Sequence, residues 1–154
     1  MIAGAFTLMR NESDLEPSAE LASASFSKRA ARRLIQRAFV LAGRNRRLRE
    51  HIRDAHLAML WRLEDWNFEW TVVLERGRLL FDRRPVRSPD LTMIWESAAD
   101  FFSQVEQEPA RDANYQLEGD PQLRRIADVV YRTLHAELAR VLRFPFDDAG
   151  NRIA

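Results

Sequence analysis

The chain of 154 residues contains no cysteine, which excludes disulfides, thiolate metal sites and cysteine nucleophiles. Its three histidines, His51, His56 and His135, are isolated and leave little material for a metal site. The sequence also lacks a P-loop, a glycine-rich dinucleotide turn and a serine nucleophile elbow. The adjacent acids Glu64 and Asp65 fall in a turn and need not share a site. We therefore predict a non-enzymatic protein with no catalytic residues, no metal and no cofactor.

Long apolar runs are absent as well. No run approaches the roughly 18 residues that a membrane-spanning helix requires. The opening residues 1–9 lack the basic start and the cleavage site of a signal peptide. We expect a cytoplasmic protein, which could associate peripherally with the inner face of the membrane.

Lysine is almost absent, because Lys28 is the only lysine among 24 basic residues. Many of the arginines fall in residues 28–53, where Glu50 is the one acid. An apolar stripe on the same helix favours an anionic membrane surface as the partner of these arginines. We assign to that surface Arg29, Arg32, Arg33, Arg37, Arg44, Arg46 and Arg47. A solvated helix face is the plainer interpretation, and nucleic-acid phosphates are a third, although no nucleic-acid-binding signature supports them.

Five short stretches alternate apolar with polar side chains, which predicts β-strands with one buried and one wet face. They cover about residues 56–64, 68–75, 78–83, 90–95 and 114–118. The inward residues include Leu57, Met59, Trp61, Leu63, Phe68, Trp70, Val72 and Leu74. One wet face is typical of antiparallel sheets, because covered parallel strands read as continuous apolar runs.

Helical periodicity precedes and follows these strands. Ser27 can cap a basic N-terminal helix, and Asp120-Pro121 can open a last helix with an apolar stripe to Val141. Short helices are also expected at residues 46–53 and after Ser97. The order predicts an α+β fold, with a mostly antiparallel five-stranded sheet and helices packed on one face. We expect a flexible leader at 1–26, one domain at 27–146 and a tail at 147–154.

Three segments in this order resemble the sterol carrier protein 2 (SCP-2-like) family of lipid-binding domains. They are WTVVLERGRLLF at 70–81, SPDLTMIWESAADFFSQVE at 88–106 and YQLEGDPQLRRIADVVYRTL at 115–134. The family's usual Gly-Lys start is missing before residues 114–120, and the arginine-rich first helix is not part of its pattern. Among short bacterial members with a helical extension, the chain is similar to accessory lipid-carrier proteins of ubiquinone biosynthesis.

This resemblance implies an apolar cavity between sheet and helices that holds an acyl or isoprenoid chain, such as a quinone precursor or a phospholipid. The residues expected to line it are Trp70, Val72, Phe81, Met93, Trp95, Phe101, Phe102, Val105, Leu117, Ile126, Val130 and Leu134. The partners would be the lipid, a membrane surface and membrane-associated biosynthetic enzymes. We also expect the C-terminal half of the last helix to act as a lid over the ligand.

Two alternatives of other classes remain open at this point. The apolar sheet face could instead take a partner helix, which would make the protein a scaffold subunit. The basic segment could also belong to a nucleic-acid-binding domain, although this is less favoured. The sequence fixes neither the ligand nor the oligomeric state.

Overall fold

A computed structural model of the protein describes residues 27–103 and 114–153. The helices are α1 (Lys28–Gly43), α2 (Arg46–His51), α3 (Ala98–Ser103) and α4 (Arg124–Arg143), and a 3-10 turn (Pro121–Leu123) precedes α4. The strands are β1 (His56–Leu63), β2 (Phe68–Glu75), β3 (Arg78–Asp82), β4 (Leu91–Trp95) and β5 (Gln116–Gly119). The predicted leader lies outside the described residues. In the part of the chain that the structure describes, no helix is long and apolar enough to cross a membrane.

The five strands form one sheet in the order β3-β2-β1-β4-β5. The pairs β1–β2, β2–β3 and β4–β5 are antiparallel, while β1 and β4 run parallel at the centre. The α+β prediction with a mostly antiparallel sheet is therefore confirmed. The parallel pair arises because β4 joins β1 on the side away from the β2–β3 hairpin, so the chain must cross the sheet between β3 and β4.

That crossover, residues 83–90, changes the outer face of the sheet. The Thr71 hydroxyl donates to the Arg84 carbonyl at 2.6 Å and accepts from the Val86 N–H at 2.8 Å. Thr71 and Leu60 both point outward and are nevertheless only 4% and 6% exposed. The expectation of one fully wet face is therefore wrong at the centre of the sheet.

The opposite face carries the main core and the two long helices. The Ser27 side chain caps α1 by accepting from the Ala30 N–H at 3.1 Å, as predicted. The buried residues of α1 are Ala31, Leu34, Ile35, Ala38, Phe39 and Ala42. Those of α4 include Ala127, Val130, Tyr131, Leu134, His135, Leu138 and Val141. The two stripes pack against each other and against the sheet, so the C-terminal half of α4 is packed as core.

Gly119 ends β5 at a point where two backbones approach closely. A Cβ at this position would lie 2.6 Å from the Asp90 carbonyl oxygen and 3.1 Å from the Leu91 Cα. Its φ of +122° is also unfavourable for other residues. Asp120 then caps the 3-10 turn by accepting from the Gln122 N–H at 2.9 Å. The predicted helix start at Asp120-Pro121 is therefore a 3-10 turn, and α4 begins at Arg124.

Candidate ligand-binding site

Three tryptophans form a row across the centre of the sheet. Trp70 on β2 is paired in register with Trp61 on β1, and Trp95 follows on β4. The Trp61 ring centroid lies 5.9 Å from that of Trp70 and 5.2 Å from that of Trp95. All three residues are 0% exposed. Because their positions have inward parity on adjacent strands, the period-two pattern places the indoles side by side.

Rings from three helices cover this tryptophan row. Phe39 of α1 lies edge-on to Trp61 at 5.3 Å, and Tyr131 of α4 is stacked on Trp95 at 5.8 Å. Phe101 of α3 meets Trp95 edge-on at 4.9 Å. Such geometries are the favourable ones for aromatic pairs. The aromatic face of the sheet is thus covered by the chain's own helices.

The structure brings most of the predicted lining residues into one apolar cluster. Buried members are Trp70, Val72, Met93, Trp95, Phe101, Phe102, Val130 and Leu134. Phe81, Leu117 and Ile126 are partly buried and pack against the cluster. Val105 lies outside the described residues. The predicted lining residues leave out Trp61, Phe39 and Tyr131. Trp61 was nevertheless predicted to face inward, because it shares the inward parity of Met59 and Leu63.

The tryptophan row carries hydrogen-bond donors that lack acceptors. The indole N–H groups of Trp61, Trp70 and Trp95 are buried and have no hydrogen-bond partner among the described residues. The same holds for the Tyr131 hydroxyl, and burial raises the pKa of Tyr131, which keeps this hydroxyl protonated. An indole N–H can only donate, and each unsatisfied buried donor costs about 1–3 kcal/mol. This apolar layer therefore suits an apolar molecule that carries acceptor oxygens.

His135 holds α3 against α4 beside this layer. Its Nε2 lies 3.0 Å from the Phe101 carbonyl oxygen of α3, and its Nδ1 lies 3.1 Å from the Tyr131 carbonyl oxygen of its own helix. Burial lowers the pKa of His135 to about 4, and the two carbonyl contacts only partly oppose this effect. The ring is therefore neutral near pH 7 and has one N–H to donate. The other two histidines, His51 and His56, are exposed.

Part of the predicted basic surface forms a groove beside β2 and β3. Lys28, Arg29, Arg32 and Arg33 of α1 line it, together with Arg83 after β3. The groove has a volume of about 860 Å³, and its other lining residues include Phe68, Glu69, Phe81 and Pro85. This groove, called the basic groove below, thus combines cationic walls with an apolar floor.

The remaining predicted arginines lie elsewhere. Asp148 accepts from Arg37 at 3.0 Å and from both terminal nitrogens of Arg44, at 3.1 and 2.7 Å. These guanidinium groups hold the pKa of Asp148 well below its usual range. Arg33 Nη1 also donates to the Ile153 carbonyl oxygen at 3.3 Å, so these contacts hold residues 147–153, expected to be a tail, against α1 and the turn after it. Arg46 lies in a separate cleft near Arg53, and Arg47 is exposed. Six of the seven arginines predicted to face a membrane are therefore divided between the basic groove, the Asp148 contacts and the cleft near Arg53.

A second apolar and basic surface follows α4. Phe144 is 72% exposed and Phe146 is 41% exposed. Both line a cleft of about 380 Å³ with Arg140 and Arg143. Within the described residues, no group of histidines and carboxylates could hold a metal ion.

Comparisons with known proteins add little to this geometry. No family model matches the sequence, and no curated protein matches it. One similar solved structure is that of a "UbiJ-SCP2 Ubiquinone synthesis protein". The similarity covers 64% of this chain and 84% of that chain, at 13% sequence identity and a TM-score of 0.42. A sequence identity and a TM-score this low establish neither a shared family nor a function.

Proposed function

We propose that the protein is a lipid-binding accessory protein that carries an acyl or isoprenoid ligand against the tryptophan row. The observation that carries this proposal is the set of adjacent buried indole N–H groups without acceptors among the described residues. An apolar chain would contact the aromatic rings, and each buried CH2 contributes about 0.8 kcal/mol. Acceptor oxygens of a quinone, ketone or ester head would pair with the indoles.

The resemblance of residues 70–81, 88–106 and 115–134 to the SCP-2-like family supports the same proposal. A role in presenting a quinone precursor to membrane-associated enzymes would agree with it. No acid–base chemistry is needed for this role, since binding and release of the ligand are the whole activity.

The scaffold alternative is less favoured, because a partner helix would need the aromatic face to be free. In the described residues that face is covered by α1, α3 and α4, and its rings are in direct contact. A lipid chain is thin enough to enter by small displacements of these helices, whereas a partner helix about 10 Å wide would have to replace one of them.

Delivery to a membrane would use the surface around Phe144. This exposed ring lies beside Arg140 and Arg143, an arrangement that suits the interface between anionic headgroups and acyl chains. The arginines of α1 outside the Asp148 contacts would add long-range attraction to the same anionic surface.

Native mass spectrometry of the purified protein tests the proposal. We expect a protein population with added mass that extraction with organic solvent identifies as a lipid bearing acceptor oxygens. Trp61→Phe removes one indole N–H from the row and should lower the retained fraction. Trp66→Phe is the matched control, because Trp66 lies in the β1–β2 turn outside the row. Absence of added mass, both after purification and after incubation with lipid vesicles, would refute the carrier role.

A further inference from the structure

The basic groove carries more positive charge than the surrounding chain neutralises. Arg29, Arg32 and Arg83 are exposed and form no ion pair with any described residue. Among the described residues that line the groove, Glu69 is the one acid; it accepts from Arg62 Nε at 2.8 Å and is thereby already paired. Cationic side chains that line one groove repel each other, so an anion in the groove would relieve the repulsion.

The floor of the groove is apolar and continues into the core. The Phe68 ring lies 4.8 Å from that of Trp70, and the half-buried Phe81 ring lies 5.2 Å from that of Phe39. Arg32 places its guanidinium 4.3 Å from the Phe68 ring centroid, which directs the cation over this floor. A molecule that fits both parts of the groove has an anionic head and an apolar chain.

The same features argue against a nucleotide. Phe68 is only 4% exposed, and the Arg32 guanidinium lies over its ring. A base therefore has no free aromatic face on which to stack at this position, and such stacking is the usual source of single-strand affinity. Free phosphate would gain nothing from Phe81 and Pro85.

We propose that the basic groove binds the phosphate headgroup of a single amphiphile, an alkyl or isoprenoid phosphate. Arg29, Arg32 and Arg33 pair with the phosphate oxygens, since guanidinium groups favour charge-assisted and bidentate contacts with phosphate. The first carbons of the chain lie over Phe81 and Pro85. A volume of about 860 Å³ is within the usual range for small-molecule sites. The site lies outside the helix-covered tryptophan row, so it holds whether or not a ligand enters that row.

Isothermal titration calorimetry of the full chain with decyl phosphate tests the proposal. The decyl phosphate concentration stays below the critical micelle concentration. We expect decyl phosphate to bind at least tenfold more tightly than inorganic phosphate, because only the former uses the apolar floor. The triple variant Arg29→Gln, Arg32→Gln, Arg33→Gln should weaken decyl phosphate binding by tenfold or more. Arg83→Gln should weaken it in the same direction by a smaller factor.

The matched control is the triple variant Arg46→Gln, Arg49→Gln, Arg53→Gln. It removes the same charge from the cleft around Arg46 and Arg53, whose described lining residues include no aromatic side chain. We expect less than a twofold change in decyl phosphate affinity. Equal weakening in both triple variants would overturn the proposal, because it would reduce the effect to net charge. The proposal also fails if inorganic phosphate or a dinucleotide binds as tightly as decyl phosphate, since the groove would then recognise phosphate alone or a nucleic acid.

Discussion

Replacing His135 by glutamine tests how α3 and α4 are joined beside the tryptophan row. The glutamine amide can still donate to the Phe101 carbonyl but cannot titrate. In the folded protein burial lowers the pKa of His135 from 6.5 to about 4. As the pH falls through 6.5 the unfolded chain takes up a proton that the folded chain excludes, so stability present at neutral pH is lost between about pH 6.5 and pH 4.

The magnitude follows from the size of this shift. Each pKa unit of difference between the folded and unfolded chain corresponds to about 1.4 kcal/mol. Of the whole His135 shift, nearly one and a half units affect stability between pH 7 and pH 5. The free energy of unfolding should therefore fall by about 2 kcal/mol over this interval because of His135 alone. Urea denaturation followed by far-UV circular dichroism at pH 7, 6 and 5 measures it. His135→Gln should lose this component of the pH dependence.

His56→Gln is the control, because His56 is exposed at the start of β1. This variant should follow the wild-type pH dependence. If His135→Gln also follows the wild-type curve between pH 7 and pH 5, the His135 ring is not buried in neutral form, and the account of its contacts is wrong.

Three further predictions concern the sheet, the membrane surface and the last helix. Gly119→Ala should cost about 3 kcal/mol of unfolding free energy in urea denaturation, since its Cβ would meet backbone and its φ is unfavourable. Phe144→Ser should lower binding to anionic vesicles in sedimentation assays, because the ring and the adjacent Arg140 and Arg143 form one exposed surface. Truncation after Arg132 should abolish cooperative thermal unfolding, because it removes buried core residues of α4.

Each of these predictions has a control. Gly150→Ala places an alanine at a φ of +83° but meets no atom within 4 Å, so it should cost clearly less than Gly119→Ala. Leu80→Ser removes another exposed apolar side chain, on β3, and should leave vesicle binding unchanged. Truncation after Phe146 should keep cooperative unfolding. If the chain truncated after Arg132 still unfolds cooperatively, the result would instead support the lid that the sequence suggests.

Local patterns predict the elements of this fold and its α+β class, but not the order of the strands in the sheet. The alternation in residues 68–75 matches β2, and Ser27 and Asp120 act as caps where the sequence places them. The hydrophobic periodicity of single segments does not predict the parallel pairing of β1 with β4, because this pairing depends on which edge of β1 is free. For the same reason the burial of Thr71 by the crossover loop could not be predicted.

In the candidate site, too, local patterns predict some features, while others depend on contacts between distant parts of the chain. Inward parity predicts the aromatic layer, including Trp61, but Trp61 was not assigned to the ligand because it lies outside the segments 70–81, 88–106 and 115–134 that carry the resemblance. The arginines of α1 separate because Asp148, more than a hundred residues later, pairs with Arg37 and Arg44. Such a long-range contact leaves no periodic signal near the arginines.

The most direct test of the central claim is nuclear magnetic resonance of the indole N–H groups. The protein has four tryptophans, three in the row and Trp66 outside it. On addition of an isoprenoid ketone, the indole protons of Trp61, Trp70 and Trp95 should shift downfield as they gain an acceptor, whereas that of Trp66 stays in place. An isoprenoid hydrocarbon of equal carbon number should produce no such downfield shift. Unchanged indole resonances in the presence of the bound ketone, or a shift confined to Trp66, would contradict ligand binding at the tryptophan row.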